Sequence, residues 1–203
     1  FRRILWKLVN NIIFKITCPT NELVDKLNIS KIFSSNKIFY LMDPVIDIKD
    51  YLQKKNLRPE CYKFDKEPFL LSVGRFTRQK NYTYLINEYE QFLKSYDKLN
   101  LIIIGDGEEK KKIEKLILKK NLQNKIYLTG YENNFYFFMN NASAFILPSL
   151  WEELGLAIVQ AAMSNTVIIS SDCPNGPKEF LNNGQSGILF HNNYEGALCN
   201  SLV

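Results

Sequence analysis

Residues 144–171 read AFILPSLWEELGLAIVQAAMSNTVIISS, and the pattern of apolar residues in this stretch decides the fold class. Two short apolar runs, at 144–149 and 166–171, enclose a polar loop and a longer apolar segment. Short runs rich in Ile, Leu and Val that end at Gly, Ser or Pro are typical of strands buried in a parallel sheet. The stretch therefore predicts a strand, a helix and a second strand.

The same alternation starts near residue 66 and continues along the chain. Further strand-like runs lie at 69–74, 101–105, 125–130 and 187–190. Between them, KKKIEKLILKK is typical of an amphipathic helix, because Ile113, Leu116 and Ile117 fall on one face. Repeated strand–helix units predict an α/β domain at 66–203, a Rossmann-like parallel sheet with helices on both faces. In such sheets ligands bind beyond the carboxyl ends of the strands.

Residues 1–65 lack this alternation. The opening segment FRRILWKLVNNIIFKI is apolar and basic, and it predicts a helix followed by a strand that ends near Thr17. The region holds too few elements for a core of its own, so we interpret it as the end of a preceding domain plus a connector with a turn at Asp43-Pro44. Because the chain begins at Phe1 instead of Met and ends at Val203 inside a helical pattern, we expect it to be a piece of a longer polypeptide.

The basic N-terminal stretch has two interpretations. It fits an anionic membrane surface, with Phe1, Ile4, Leu5, Trp6 and Leu8 facing lipid. It also fits a helix that packs against the rest of its own domain. The small number of charged residues favours the second interpretation.

Composition excludes several classes of protein. Hydrophobic residues make up 46% of the 203 residues and charged residues 23%, which is typical of a folded globular protein and not of a disordered chain. No run approaches the ~20 apolar residues of a transmembrane helix. The net charge, 26 − 21 = +5, suits an anionic ligand but is too small and dispersed to indicate nucleic acid. Four dispersed cysteines and one histidine offer almost no zinc ligands, and without a secretory leader we expect reduced thiols in a cytosolic protein.

The first segment suited to chemistry is SVGRFTRQKN (72–81), which follows a predicted strand. Gly74 allows a tight turn, and Arg75 and Lys80 lie beside the start of the next helix. Cations beside the free N–H groups of a helix N-terminus form a site for a diphosphate. A strand followed by Gly and Arg is common, so this motif alone is weak.

The second segment, PSLWEELGLAIVQAAMSN (148–165), adds a carboxylate and another helix start. We expect the helix to begin near Gly155, so that Gly155 and Leu156 present unpaired N–H groups to an anion. Glu152 precedes it in a loop, where it can accept hydrogen bonds from vicinal hydroxyls. Gln160 follows at most roughly 12 Å further along the helix, which suits the other end of an extended nucleotide sugar. Taken singly, Glu152 also fits a solvated capping residue, and Gln160 fits an exposed helix position.

Two further turns favour structural roles. The GDG turn (105–107) lacks the third glycine of the dinucleotide fingerprint, and Glu108 and Glu109 would repel phosphate. The segment SSDCPNGPKEFLNNGQSGILF (170–190) predicts a rigid turn and a helix near Lys178 that would form a wall of the cleft.

Taken in order, five segments resemble the C-terminal half of a family 4 retaining glycosyltransferase of the GT-B fold. They are VGRFTRQKN, IIIGDG, LTG, ILPSLWEELGLAIVQAAMSN and SSDCPNGPKEFLNNGQSGILF, and the resemblance covers roughly residues 15–203. It implies that 66–203 is a nucleotide-sugar donor-binding domain, truncated at its end, and that 1–65 is the end of an acceptor domain plus the interdomain linker.

The resemblance also implies roles for individual residues. Arg75 and Lys80 match the pair that neutralises the diphosphate, Glu152 matches the carboxylate that holds hydroxyls of the donor sugar, and these three are the catalytic candidates. The other donor-binding positions are Gly74 in the first turn, Leu154, Gly155 and Leu156 at the sugar and distal phosphate, Gln160 at the ribose, and Gly130 and Tyr131 at the base. Gln160 replaces the second Glu of the family pattern, which predicts ribose binding weaker by about 1–2 kcal/mol.

The activity that the resemblance implies is transfer of a sugar, with retention of configuration, to a glycan or lipid-linked acceptor in cell-envelope polysaccharide synthesis. UDP is favoured over GDP as the nucleotide. Such enzymes need no metal or other cofactor, because protein cations neutralise the diphosphate. The resemblance implies a cytoplasmic location, and attachment to the inner face of the membrane stays open. We expect this part of the enzyme to be inactive alone.

Two alternatives stay open. One is a nucleotide-sugar-binding module without catalysis, either truncated or degenerate at Gln160. The other is a nucleic-acid-binding protein, which would interleave aromatic and basic residues on one face. The aromatic run FYFF at 135–138 instead predicts a helix in the core or cleft, so nucleic acid is the least favoured partner.

Overall fold

The structure is a computed structural model that describes residues 2–43, 46–63 and 67–202. Two regions are visible in it: a large α/β unit and a smaller N-terminal segment that carries two short strands. Phe1 and Pro44, which entered the membrane and turn predictions, lie outside the described residues.

A six-stranded, all-parallel sheet forms the centre of the large unit. The strands of the chain are β1 (Ile16–Cys18), β2 (Ile38–Tyr40), β3 (Phe69–Val73), β4 (Asn100–Ile104), β5 (Ile126–Gly130), β6 (Ala144–Leu147), β7 (Ile168–Ser171) and β8 (Ile188–Phe190). The order across the large sheet is β5-β4-β3-β6-β7-β8. Counted from β3, this is the Rossmann order, which reverses direction between its first and fourth strands. The predicted fold class is confirmed.

Helices connect the strands and cover both faces of the sheet. They are α1 (Arg2–Val9), α2 (Asn21–Ser30), α3 (Ile48–Lys54), α4 (Tyr82–Leu93), α5 (Lys110–Lys119), α6 (Phe135–Asn141), α7 (Leu156–Met163), α8 (Gly176–Phe180) and α9 (Ala197–Ser201), with short 3-10 turns at Ser35–Lys37, Arg78–Lys80 and Asn182–Gly184. α4, α5 and α9 pack on one face, and α6 and α7 pack on the other.

Alternate strand residues supply the two cores. On β4, Leu101 and Ile103 join the α4–α5 side, whereas Ile102 and Ile104 join the α6–α7 side. This follows from the two-residue period of a strand, and it explains why these strands are apolar throughout instead of alternating. The aromatic run 135–138 lies in α6, as predicted for a helix in the core or cleft. Tyr136 and Phe138 of this run are buried.

The N-terminal segment is a small parallel β–α–β unit. β1 pairs with β2, and α2 lies between them in sequence. Contrary to the expectation of no core at all, it has a small hydrophobic cluster centred on Cys18, Phe33 and Ile38. α1 begins the segment with mostly exposed Ile4, Leu5, Trp6 and Leu8, so both interpretations of this stretch stay open. Within the described ranges, no helix combines the length and apolarity needed to cross a bilayer.

Close backbone contacts fix the turns after β3 and β4. The amide of Gly74 donates to the carbonyl of Ile104, and the amide of Phe76 donates to the carbonyl of Asp106. A Cβ on Gly105 would lie 2.0 Å from the carbonyl oxygen of Gly74. The GDG turn thus supports the Gly74–Phe76 turn, as its structural interpretation predicts.

We expect Gly105→Ala to lower the free energy of unfolding by about 3 kcal/mol, because the methyl group would collide with backbone and the φ of +150° is unfavourable for alanine. Urea unfolding measures the loss. Gly184→Ala is the matched control, with a positive φ of +92° but no atom nearer than 3.8 Å, and should lose about 1 kcal/mol. Equal losses in the two variants would contradict the role of the close contact.

Candidate functional site

A cavity of about 520 Å³ opens at the carboxyl ends of β3 and β6, where the strand order reverses. Ligands of open α/β sheets bind at this switch point. The loops that follow the two strands, the first turn of α7 and one connector residue form the walls. The lining residues are Asp43, Val73, Gly74, Arg75, Gln79, Lys80, Trp151, Glu152, Glu153, Leu154, Gly155, Leu156, Ala157 and Gln160.

Among the described residues, Arg75 is the cation of this cavity that forms no ion pair. It follows β3 and the Gly74 turn, and its side chain is exposed. Within the described ranges no carboxylate forms an ion pair with it, whereas Lys80 does have such a partner. A guanidinium without a protein partner is available for an anionic ligand, and its planar array of N–H groups suits phosphate oxygens.

Glu152 and Lys80 form an ion pair that joins the two loops of the cavity. The Nζ of Lys80 lies 2.5 Å from Oε1 of Glu152, and the two side chains are 16% and 7% exposed. The hydroxyl of Ser149 donates to the same carboxylate oxygen at 2.6 Å. Both contacts use Oε1, so the second oxygen of Glu152 can accept hydrogen bonds from a ligand.

The loop that carries Glu152 is held by neighbouring backbone. The amide of Leu150 donates to the carbonyl of Gln79, and the side-chain amide of Gln79 donates to the carbonyl of Trp151, both at 2.8 Å. On the other side, the amide of Gly176 donates to the carbonyl of Glu153 at 2.7 Å. The loop is therefore fixed between the turn after β3 and the turn before α8.

α7 begins at Leu156, with Gly155 before it at a φ of 80°. This left-handed conformation favours glycine and brings the first N–H groups of the helix to the cavity. The unpaired N–H groups and the helix dipole favour an anion at this end. The sequence predicted a helix start near Gly155, and α7 begins there.

Gln160 lies one turn further along α7, and it also lines the cavity. Its side chain bonds to the hydroxyl of the buried Tyr136, a contact that opposes the larger effect of burial, which raises the pKa of Tyr136. Asp50 and Lys54 of α3 also act on this phenol. Gln160 thus lies against Tyr136 of α6.

Eight of the predicted site residues line one cavity, and two do not. Gly74, Arg75, Lys80, Glu152, Leu154, Gly155, Leu156 and Gln160 are among its lining residues. Gly130 ends β5 at the edge of the sheet, and Tyr131, which follows it, is 81% exposed. The carbonyl of Gly130 accepts from the amide of Gly105. Their role at the base stays a prediction.

Several residues of the cavity escaped the sequence analysis. Trp151 and Gln79 lie inside the motifs that were identified, but nothing in the pattern marks their side chains as lining residues. Asp43 comes from the connector, far away in sequence, and no local signal could have found it. Cys173 is buried near Glu152 and Lys80, where burial raises the pKa of its thiol to about 11, so it is protonated and unreactive at neutral pH.

Among the described residues, no three His, Cys, Asp or Glu side chains cluster as a metal site would require. The expectation that the chemistry needs no metal is not tested by this finding.

The ion pair gives a stability prediction. Lys80→Met leaves a buried carboxylate without its partner, so the free energy of unfolding should fall by about 2–3 kcal/mol. Lys80→Met combined with Glu152→Gln removes both charges and should recover part of that loss. Denaturant unfolding of the single and double variants measures both effects.

Lys110→Met is the control, because its partner Asp106 is 55% exposed and such surface pairs contribute little. The change should lower stability by less than about 0.5 kcal/mol. A Lys80→Met variant as stable as this control would contradict a structural role for the pair.

Comparison with known proteins gives consistent matches over the large unit. The family model described as "Glycosyl transferases group 1" matches residues 53–202. An uncharacterized glycosyltransferase of Methanocaldococcus jannaschii is 37% identical over 137 residues, which make up 67% of this chain and 34% of that protein. The N-acetylgalactosamine-N,N'-diacetylbacillosaminyl-diphospho-undecaprenol 4-alpha-N-acetylgalactosaminyltransferase of Campylobacter jejuni is 30% identical over 137 residues, or 68% of this chain and 37% of the relative.

A crystal structure of Anabaena HepE in complex with UDP and glucose has the same fold. Its TM-score is 0.80 at 15% identity, and the match covers 98% of this chain and 55% of HepE. The chain thus spans about a third of the length of the two curated relatives and about half of this solved structure. Since the family model matches well over half of the chain, including every lining residue of the cavity except Asp43, the chain belongs to the group 1 glycosyltransferases.

Proposed function

We propose that this chain forms the nucleotide-sugar site of a glycosyltransferase, and that the cavity between β3 and β6 binds the donor. The observation that carries the proposal is the convergence, in one cavity, of a free guanidinium, a buried carboxylate and the start of α7. The guanidinium and the start of α7 suit a diphosphate, the carboxylate suits the hydroxyls of a sugar, and Gln160 of the same cavity suits a ribose.

The diphosphate is the leaving group, and its negative charge grows as the bond to the sugar breaks. Arg75 and the N–H groups at Gly155 and Leu156 would stabilise that charge, because they are already oriented before the reaction begins. Lys80 can contribute as well. An ammonium has three N–H donors, so it can keep its bond to Glu152 and still bind a phosphate oxygen.

The hydroxyls of the donor sugar would bind Glu152. Lys80 and Ser149 hold the carboxylate in one orientation through Oε1, which leaves the other oxygen for the ligand. A carboxylate fixed in this way is a better acceptor than a solvated one, because little conformational freedom is lost when the sugar binds.

The ribose would bind Gln160, and UDP is the nucleotide that we favour. HepE, which shares the fold, was crystallised with UDP. An amide offers both a donor and an acceptor to the ribose diol, although without the charge of the Glu that the family pattern has at this position. The base would then lie towards Gly130 and Tyr131.

Transfer with retention, in the manner of family 4, is part of the same proposal, as is catalysis without a metal. The acceptor would be a glycan or a lipid-linked sugar of the cell envelope, because the Campylobacter jejuni relative acts on a diphospho-undecaprenol substrate by its name. A cytoplasmic location at the inner face of the membrane fits such an acceptor. The residues that bind the acceptor would lie outside this chain, so the chain would be inactive by itself.

A binding module without catalysis is the second candidate, and Gln160 is the observation that favours it. Loss of the second carboxylate is the change expected in a degenerate copy. Release of UDP from UDP-sugars by the full-length protein would separate the two candidates, because a binding module binds UDP without turnover.

Arg75→Ala should weaken UDP binding by at least tenfold, because it removes the free cation of the cavity while leaving the fold intact. Isothermal titration with UDP measures the change, and circular dichroism checks the fold. Arg78→Ala is the matched control, since Arg78 is an exposed neighbour that does not line the cavity. Equal UDP affinity in the two variants would sink the assignment of the diphosphate site.

Gln160→Glu should tighten UDP binding several-fold, because a carboxylate makes stronger hydrogen bonds to the ribose hydroxyls. Inorganic pyrophosphate serves as the control ligand, since it has no ribose and should gain nothing from the change. A ratio of UDP to pyrophosphate affinity that does not rise would place the ribose away from residue 160.

A further inference from the structure

Asn175 occupies an unusual position between the cavity and the N-terminal segment. It precedes α8 with φ 73° and ψ −138°, a backbone conformation that residues with a side chain rarely adopt. Such a conformation is unfavourable and persists only where the surroundings impose it. Its occurrence beside a binding loop therefore calls for a physical explanation.

Asn175 forms three hydrogen bonds, two to α2 and one to the loop that carries Glu152. Its backbone amide donates to Oε2 of Glu22, and its side-chain oxygen accepts from Nζ of Lys26, each at 2.7 Å. Its side-chain amide donates to the carbonyl of Glu152, also at 2.7 Å. One residue thus connects α2 of the N-terminal segment with the loop of the cavity.

The α2 end of this connection is well organised. Glu22 and Lys26 form an ion pair one helical turn apart, so both present their polar atoms to Asn175 together. Beside them, the carboxylate of Glu179 accepts from the backbone amides of Asn21 and Glu22. A residue of α8 therefore caps α2 from a distant part of the chain, which gives α2 one preferred place on the large unit.

The cavity end is equally constrained. A Cβ on Gly176 would lie 2.2 Å from the carbonyl oxygen of Leu154, so the turn at 175–176 presses directly on the loop that carries Glu152. The close contact resists a movement of the turn towards the loop, and the hydrogen bond from Asn175 to the carbonyl of Glu152 resists a movement away, so a shift of α2 that moves Asn175 acts on the loop in both directions.

We propose that Asn175 is a positioning residue that couples the seating of α2 on the large unit to the orientation of the Glu152 loop. This inference rests on the proposed function of that loop in donor binding. Coupling is reciprocal, so occupation of the cavity by a nucleoside diphosphate also strengthens the seating of α2.

The test uses residues of α2 that do not line the cavity. In the full-length protein, Lys26→Ala and Glu22→Gln should each raise the dissociation constant for UDP about fivefold. Lys112→Ala is the matched control, because Lys112 is an exposed lysine with a comparable ion pair, to Glu109 at 2.7 Å, remote from this connection. It should leave the UDP affinity unchanged.

Asn175→Gly removes the side-chain bonds to Lys26 and to the carbonyl of Glu152 while its backbone amide can still donate to Glu22, and the backbone is undisturbed, since glycine adopts the observed φ freely. It should weaken UDP binding to a similar extent, and adding Lys26→Ala should then have no further effect. A merely structural role for Lys26 would instead give additive losses.

A second readout separates this proposal from the proposed function. Trp151 lies on the Glu152 loop and is half exposed, so acrylamide quenching of its fluorescence in a Trp6→Phe background reports the loop without any ligand. Lys26→Ala and Asn175→Gly should change this quenching, and Lys112→Ala should not. If the unaltered protein fails to bind UDP, the proposed function is lost, and the quenching alone decides the coupling. Variants of α2 that match Lys112→Ala in both readouts would overturn it.

Discussion

The ion pair between Lys80 and Glu152 is the interaction on which the site depends. Lys80 follows β3 and Glu152 follows β6, so the pair connects the two halves of the sheet at the point where the strand order reverses. Well-packed apolar residues in place of a buried pair are often equally stable or more so. The pair therefore gains little for stability alone, and its place in the cavity agrees with the proposed role of Glu152 as a carboxylate held towards a ligand.

The ion pair distinguishes the two cations of the cavity, Arg75 and Lys80, because only Lys80 takes part in it among the described residues. In the sequence Arg75 and Lys80 look equivalent, because each follows a strand and precedes a helix. In the structure Lys80 is occupied by Glu152, whereas Arg75 has no such partner among the described residues. The diphosphate would thus meet one free guanidinium, one shared ammonium and the start of α7, a division that no motif reveals.

The sequence was sufficient for the sheet because the information there is local. Apolar runs such as 101–105 are short and ended by glycine, and both faces of β4 are apolar because α4 and α5 cover one of them while α6 and α7 cover the other. The start of α7 was predictable for the same reason, since Gly155 marks it. Asp43 and Asn175 were not predictable, because their roles arise from contacts with segments far away in the chain. Such long-range contacts cannot be predicted from local sequence patterns.

Backbone contacts, more than side chains, set the dimensions of this site. Gly105 lies against Gly74, and Gly176 lies against Leu154, at separations that no other residue type would allow. Both loops of the cavity are therefore fixed largely by backbone, with the side chains of Gln79 and Lys80 adding bonds between them. This leaves Arg75 and one oxygen of Glu152 available to a ligand, and it couples the loops to the segments that touch them. A site built in this way responds to the position of its supports, and in this chain one of those supports is α2, through Asn175.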